Sequence, residues 1–153
     1  MPVPPPPSGC FDGARHFYAV RVYFEDTDLS GVVYHANYLR WFERGRSDML
    51  RLLGINQRSA QEAGEGAFAV TDLALKYLRP ARLDDDVLIE SIVTEVSRVT
   101  CTLVQKALRG GDLLAEAQVR VAFVSPQGRA RRLPAHFHSA FTALIAPPPE
   151  GLN

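Results

Sequence analysis

The segment Glu25–Asn37, EDTDLSGVVYHAN, is rich in side chains that can do chemistry. Asp28 and His35 stand on either side of Gly31. A carboxylate can attack a carbonyl carbon, or take a proton from a water that does so. An imidazole can orient a substrate or move a proton near neutral pH. The segment runs into the start of a long helical pattern, where backbone N–H groups lack intrahelical acceptors and the helix dipole is positive. A developing oxyanion is stabilised at such a point. Two other readings start from the same residues. Asp26 and Asp28 also suit turn positions that bond their own backbone, with His35 as a capping residue. Glu25, Asp26, Asp28 and His35 form a crowded ligand set in one loop, and no metal is expected there. The chain has no G-x-S-x-G, which removes a nucleophile elbow, and neither G-x-G-x-x-G nor a Walker lysine loop.

The elements that must hold this loop follow from periodicity. Leu39, Phe42, Met49, Leu50 and Leu53 recur at helical intervals and predict one helix over 36–53, about 27 Å long and stopped at Gly54. Asn37 suits its cap. Gly45 inside it costs about 1 kcal/mol relative to Ala, so it marks either close packing against a sheet or a tolerated flaw. Strands are predicted over 16–24, 68–78, 87–96, 99–108 and 113–124, with a Gly-Gly hairpin turn at 109–112. Short helices are expected over 59–64 and 134–145. Strands in succession through tight turns are antiparallel, and one helix on such a sheet makes an α+β domain with exposed edges. Pairing with a second copy is a common way to protect such edges. Residues 1–14 read as a Pro-rich tail, extended or disordered, 15–146 as a single domain, and 147–153 as a C-terminal tail.

The bulk numbers narrow the class. The chain has 153 residues, 46% hydrophobic, with 17 Lys plus Arg against 17 Asp plus Glu. That balance gives no reason to expect nucleic acid or an anionic membrane as partner, although Arg129, Arg131 and Arg132 form a local cluster. Cys10 and Cys101 lack metal-ligand spacing. The start has neither the basic nor the apolar region of a signal peptide, and no run reaches the roughly 18 apolar residues of a membrane span, so a cytoplasmic location is expected.

The run RVYFEDTDLSGVVYHANYLRWFERGRSDML, Arg21–Leu50, resembles the start of the hotdog-fold acyl-coenzyme A thioesterases. The resemblance lies in Y-x-E-D-T-D, then G-V-V-Y-H-A-N-Y, then F-E-R. It is closest to the thioesterases associated with the Tol–Pal envelope system and to the 4-hydroxybenzoyl-CoA thioesterases. It continues through FAVTDLALKYLRPARLDDDV and covers roughly 16–133. It implies a hotdog fold, with a long central helix wrapped by a curved antiparallel sheet of about five strands. It also implies self-association as a dimer or a homotetramer, with the site at the subunit interface. Asp28 matches the catalytic carboxylate, as nucleophile or general base. His35 matches the position just before the helix, its N–H polarising the thioester carbonyl. Gly31, Val32 and Val33 would shape the turn beneath the thioester, and Tyr34 and Tyr38 the acyl pocket.

Coenzyme A is then part of the substrate and no separate cofactor is needed. Its phosphates need cationic donors. Arg98 is the first candidate, followed by Arg129, Arg131, Arg132 and Lys76. Glu43 reads as structural, in helical reach of Arg46. Other functions on the same fold are a noncatalytic module binding acyl-CoA or acyl carrier protein, and a dehydratase. An association with the envelope system is compatible with thioesterase activity.

Overall fold

The computed structural model describes residues 1–145. The expected C-terminal tail, 147–153, lies outside them. Strands β1 (Cys10–Asp12) and β2 (Arg15–Arg21) form a hairpin, followed by a 3-10 turn at Phe24–Asp26 and helix α1 (Asn37–Leu52). After helix α2 (Gln57–Glu62) come β3 (Ala67–Tyr77), β4 (Asp86–Val96), β5 (Thr100–Arg109) and β6 (Asp112–Val124). Helix α3 (Ala135–Ala143) ends the described chain. All strands join one antiparallel sheet in the order β1-β2-β4-β5-β6-β3.

This corrects the expected architecture in three respects. The sheet has six strands, not about five. The sixth is β1, within residues read as a tail. Gly13 turns the chain at φ +61°, which lets Phe11 pair with His16. The sheet is open, with β1 and β3 as its edges, and is not wrapped around a helix. Helix α1 has 16 residues, which is not unusually long. Asn37 is also not its cap: the cap position is Ala36, without a side-chain bond, and the Asn37 amide donates instead to Asp26.

The α+β layering itself holds. One face of α1 buries Tyr38, Trp41, Phe42, Met49 and Leu50. These meet Ile89, Leu103, Val119 and Phe123 from the sheet. Each such large side chain contributes about 1.5–3 kcal/mol when fully buried. At Gly45 helix and sheet come closest. A Cβ there would stand 3.0 Å from Ile89 Cγ2 and 3.4 Å from both Gln105 Nε2 and Ser91 Oγ. Beneath it, the fully buried Gln105 amide donates to Phe42 O and to Ser91 Oγ, each at 2.9 Å. A second tie is the buried pair of His16 Nε2 and Asp48 Oδ2 at 2.7 Å. The same carboxylate accepts the Gly9 N–H at 2.9 Å and the Ser8 hydroxyl at 3.2 Å. Residues 8–9 are therefore fixed to α1 and do not belong to a free tail. No helix among the described residues is long and apolar enough to cross a membrane.

The contact at Gly45 gives a test. Valine there must displace Ile89 or lift the helix, and overpacking a well-filled core costs about 1–3 kcal/mol. The small gain in helix propensity over glycine does not offset this. Gly45→Val is expected to lower the unfolding free energy by about 2 kcal/mol in urea melts. An unchanged or raised midpoint would contradict the close approach.

Candidate active site

The loop before α1 folds into a compact turn. Asp28 N–H donates to Val32 O at 2.9 Å and Gly31 N–H to Asp28 O at 3.1 Å. Gly31 sits at φ +83°, a conformation that favours glycine. Val32 bridges Arg82 and Val33 bridges Thr27, while the Val33 N–H donates to Ala81 O at 2.9 Å. Gly31, Val32 and Val33 thus build the turn. The Asp26 carboxylate anchors its outer side, accepting the Tyr23 N–H at 2.8 Å and the Asn37 amide at 2.9 Å.

The Asp28 carboxylate lies at the surface of this turn. Its Oδ1 accepts both the N–H of Ser30, at 2.8 Å, and the Ser30 hydroxyl. The hydroxyl first, then the amide, hold its carboxyl below the usual carboxylate range, with a smaller contribution from His35. The turn-residue reading is therefore correct for Asp28 and Asp26, and it does not compete with chemistry. The turn keeps Asp28 ionised, and both Ser30 bonds go to Oδ1, not Oδ2.

His35 and Ala36 follow just before the first turn of α1. Neither backbone N–H finds a backbone acceptor among the described residues, whereas the next, Asn37 N–H, donates to Tyr34 O at 2.8 Å. The His35 carbonyl is held from the other side by the Tyr77 hydroxyl. That contact fixes the direction of the peptide groups around it. The His35 ring is exposed and packs 4.5 Å from the Tyr34 ring and 6.4 Å from that of Tyr77. Beside it lies a cleft of about 250 Å³, lined by Val33, His35, Tyr38, Tyr77 and the 78–80 turn. The free N–H groups at the helix start can hold an oxyanion, and the ionised Asp28 carboxylate of the same loop, which is not among the residues lining this cleft, can attack a carbonyl or activate a water.

Tyr34 is half-exposed, with room to meet a ligand. Tyr38 is buried among Trp41 and Tyr77, and its hydroxyl accepts the Ala81 N–H at 3.1 Å. Burial raises its pKa. It props up the loop. The cationic candidates are not gathered here. Arg98 caps the β4–β5 turn, its carbonyl accepting Leu133 N–H at 2.8 Å. Arg129 lies in the turn after β6, and Arg131 donates to Gly64 O and Glu65 O. This is the end of the sheet where β3 begins; Tyr77 and His35 are at the other end, about 35 Å away along an 11-residue strand. Arg132 adjoins the same segment. Lys76 is opposite Glu116 on the β3 edge. Among the described residues no three His, Cys, Asp or Glu side chains converge as a metal site.

Sequence reasoning missed Ser30 and Tyr77. Ser30 had a signal, since a serine two residues after an aspartate favours an Asx turn. Tyr77 had none, because its contact spans 42 residues. The Ser30 contacts are testable by NMR titration of the Asp28 carboxyl carbon. Asp28 should titrate below the ordinary carboxylate value of about 3.9, and Ser30→Ala should move its midpoint upward. The same midpoint in both proteins would remove Ser30 as the cause.

Comparison with known proteins fits this geometry. The family model described as thioesterase-like superfamily matches residues 22–151. The acyl-CoA thioesterase YbgC of Haemophilus influenzae is 45% identical over 107 residues, covering 70% of this chain and 79% of that protein. The acyl-CoA thioester hydrolase YbgC of Escherichia coli is 40% identical over 110 residues, covering 71% and 81%. Among solved structures, "Probable Thioesterase from Bartonella henselae" superposes with a TM-score of 0.75 at 38% identity, covering 78% of this chain and 99% of that one. The extent and level of these matches establish that the chain belongs to the thioesterase-like superfamily.

Proposed function

We propose that the protein hydrolyses acyl-coenzyme A thioesters to the free acid and coenzyme A, with Asp28 as nucleophile or general base. The observation that carries this reading is the exposed Asp28 carboxylate, held ionised by Ser30 in the loop that ends at the free N–H groups at the start of α1. The thioester carbonyl oxygen lies at the His35 and Ala36 N–H groups. Asp28, or a water it activates, attacks the carbon, and the negative charge that builds on oxygen is met by those donors and the helix dipole. The thiolate then leaves. A free thiol has a pKa of about 8.5, so its departure needs little help from an acid. The His35 imidazole positions the substrate. The names of the relatives in Haemophilus and Escherichia support the same substrate class.

The working unit is a pair of copies joined along β3. This 11-residue strand is a free edge, and Val70, Leu73 and Tyr77 on it are each about half exposed. A two-fold pairing of β3 with itself is antiparallel. It brings the start of one β3 beside the Tyr77 end of the other. Arg98, Arg129, Arg131 and Arg132 of one copy then approach the Asp28 loop of the other, where the coenzyme A phosphates need cations. Lys76 lies on the shared edge. Acyl carrier protein thioesters present the same phosphopantetheine thioester and are accepted by the same site.

Thiol release from acyl-CoA thioesters tests the chemistry. Wild type should turn over at least one acyl class, and Asp28→Asn should lose roughly 100-fold or more in kcat. Tight acyl-CoA binding with no turnover above the variant's background would overturn the hydrolase reading. The pairing is tested by sedimentation: Val70→Lys with Leu73→Lys should shift the protein to a monomer, and an unchanged oligomer would place the interface elsewhere.

A further inference from the structure

The two free N–H groups before α1 are aimed in different ways. A trans peptide is planar, with its C=O and N–H pointing in opposite directions. Holding the carbonyl therefore aims the N–H that shares its plane. The Tyr34 carbonyl accepts the Asn37 N–H at 2.8 Å, and this aims the His35 N–H. That tie is local. The His35 carbonyl accepts the Tyr77 hydroxyl, and this aims the Ala36 N–H. That tie spans 42 residues and comes from the last residue of β3. In a continued α-helix the Leu39 N–H would reach the His35 carbonyl. It bonds Ala36 O instead, at 3.2 Å, and leaves the His35 carbonyl to Tyr77.

The hydroxyl is itself held in place. In the sheet Tyr77 is opposite Ala115 of β6. Its ring packs edge to face on that of Tyr38, with centroids 5.6 Å apart, and 6.4 Å from that of His35. Tyr38 is buried in the core and bonded to the Ala81 N–H. Desolvation, and then the neighbouring Tyr38, push the Tyr77 hydroxyl above the ordinary tyrosine range, so it stays a donor at neutral pH. A donor on a peptide carbonyl also strengthens the N–H at the other end, because hydrogen bonds in series polarise one another.

We propose that Tyr77 is a positioning residue for the reaction: through the His35 carbonyl it aims and polarises the Ala36 N–H, so that this donor meets the charge developing on the thioester oxygen. This rests on the hydrolase reading and adds a residue to it. Tyr77 does not touch the reacting atoms in this role. Its effect falls on the transition state, since a donor aimed at developing charge binds that charge better than the neutral carbonyl. Removing an oxyanion donor outright typically costs about 100- to 1,000-fold in kcat. Without the hydroxyl the Ala36 N–H remains and loses only its aim and polarisation. The loss is then about tenfold, the scale of one neutral hydrogen bond.

Tyr77→Phe removes the hydroxyl and keeps the ring that packs on Tyr38. With the acyl-CoA thioester that wild type turns over best, the single-turnover rate at saturation should fall about tenfold, while the half-saturating concentration stays within about twofold. Infrared difference spectra of the same thioester, labelled with ¹³C at the carbonyl, separate aim from folding. Bound to Asp28→Asn, the carbonyl stretch should move to lower wavenumber than in water. With Tyr77→Phe added, that move should be smaller. An unchanged rate in Tyr77→Phe overturns the role of Tyr77 and leaves the hydrolase reading standing. So does a lower rate with the same carbonyl shift in both backgrounds, which assigns Tyr77 to the fold alone. No carbonyl shift in Asp28→Asn overturns it as well, because the N–H groups then do not meet the thioester oxygen. If wild type turns over no thioester, the hydrolase reading fails and takes this one with it.

Discussion

The close approach of α1 to the sheet at Gly45 governs the rest of the molecule. With no Cβ there, the helix comes down until Ile89, Ser91 and Gln105 are in contact with its backbone. That distance lets the Gln105 amide reach Phe42 O from inside the sheet. A buried polar side chain in such a place must be satisfied, and here its donors and acceptor are all used. The helix is thereby fixed along its axis as well as in height. The start of α1 then falls where Tyr77, at the end of β3, can hold the His35 carbonyl. The Asp28 turn hangs from that start through Asn37 and Asp26.

The chain contains two Asp/His couples, and their surroundings assign them opposite roles. His16 and Asp48 meet at 2.7 Å in the interior, and Asp48 also gathers Ser8 and Gly9. Removing one partner of such a buried hydrogen bond leaves the other unsatisfied, which typically costs about 1–3 kcal/mol. The pair joins β2 and the N-terminal segment to the helix, and no substrate reaches it: His16 is fully buried. Asp28 and His35 are both exposed and do not bond each other. Ser30 holds Asp28 instead. A direct bond would have occupied the imidazole and the free carboxylate oxygen.

The sequence made the local part of this legible and not the distant part. The period of Leu39, Phe42, Met49 and Leu50 marked α1 within a residue or two, while the glycine that interrupts it left close packing and a tolerated flaw both open until Ile89 and Gln105 were seen against it. The hairpin at Gly110-Gly111 and the four later strands were also readable. The first strand pair was not, because the three residues of β1 carry no periodicity and are held by Gly13 and by pairing with β2. The helix cap was misread because Asn37, a good capping residue by type, has a better acceptor in Asp26. Asp28, His35 and Gly31 stood out by type and spacing. Of their supports, Ser30 was signalled by its place two residues after Asp28, whereas Tyr77 was not, since it enters from a strand that only the fold brings near. The cationic residues were identifiable as charges, but their distance from Asp28 depends on strand direction, which no single segment reveals.

That distance bears on what a single copy can do. Preorganised donors stabilise a developing charge most strongly where water is excluded. In one chain Asp28 and His35 are open to solvent, and β3 presents half-exposed apolar side chains on an unpaired edge. Helix α1 packs on β2 and β4, is tied to Gln105 of β5, and at its start meets Tyr77 of β3 through Tyr38. The uncovered edge, the open carboxylate and the remote arginines are three features of the single chain that leave the site open to water. The proposed two-fold pairing along β3 would answer all of them together: it would pair the edge, cover the Asp28 loop, and carry the arginines from the far end of one sheet to the near end of the next.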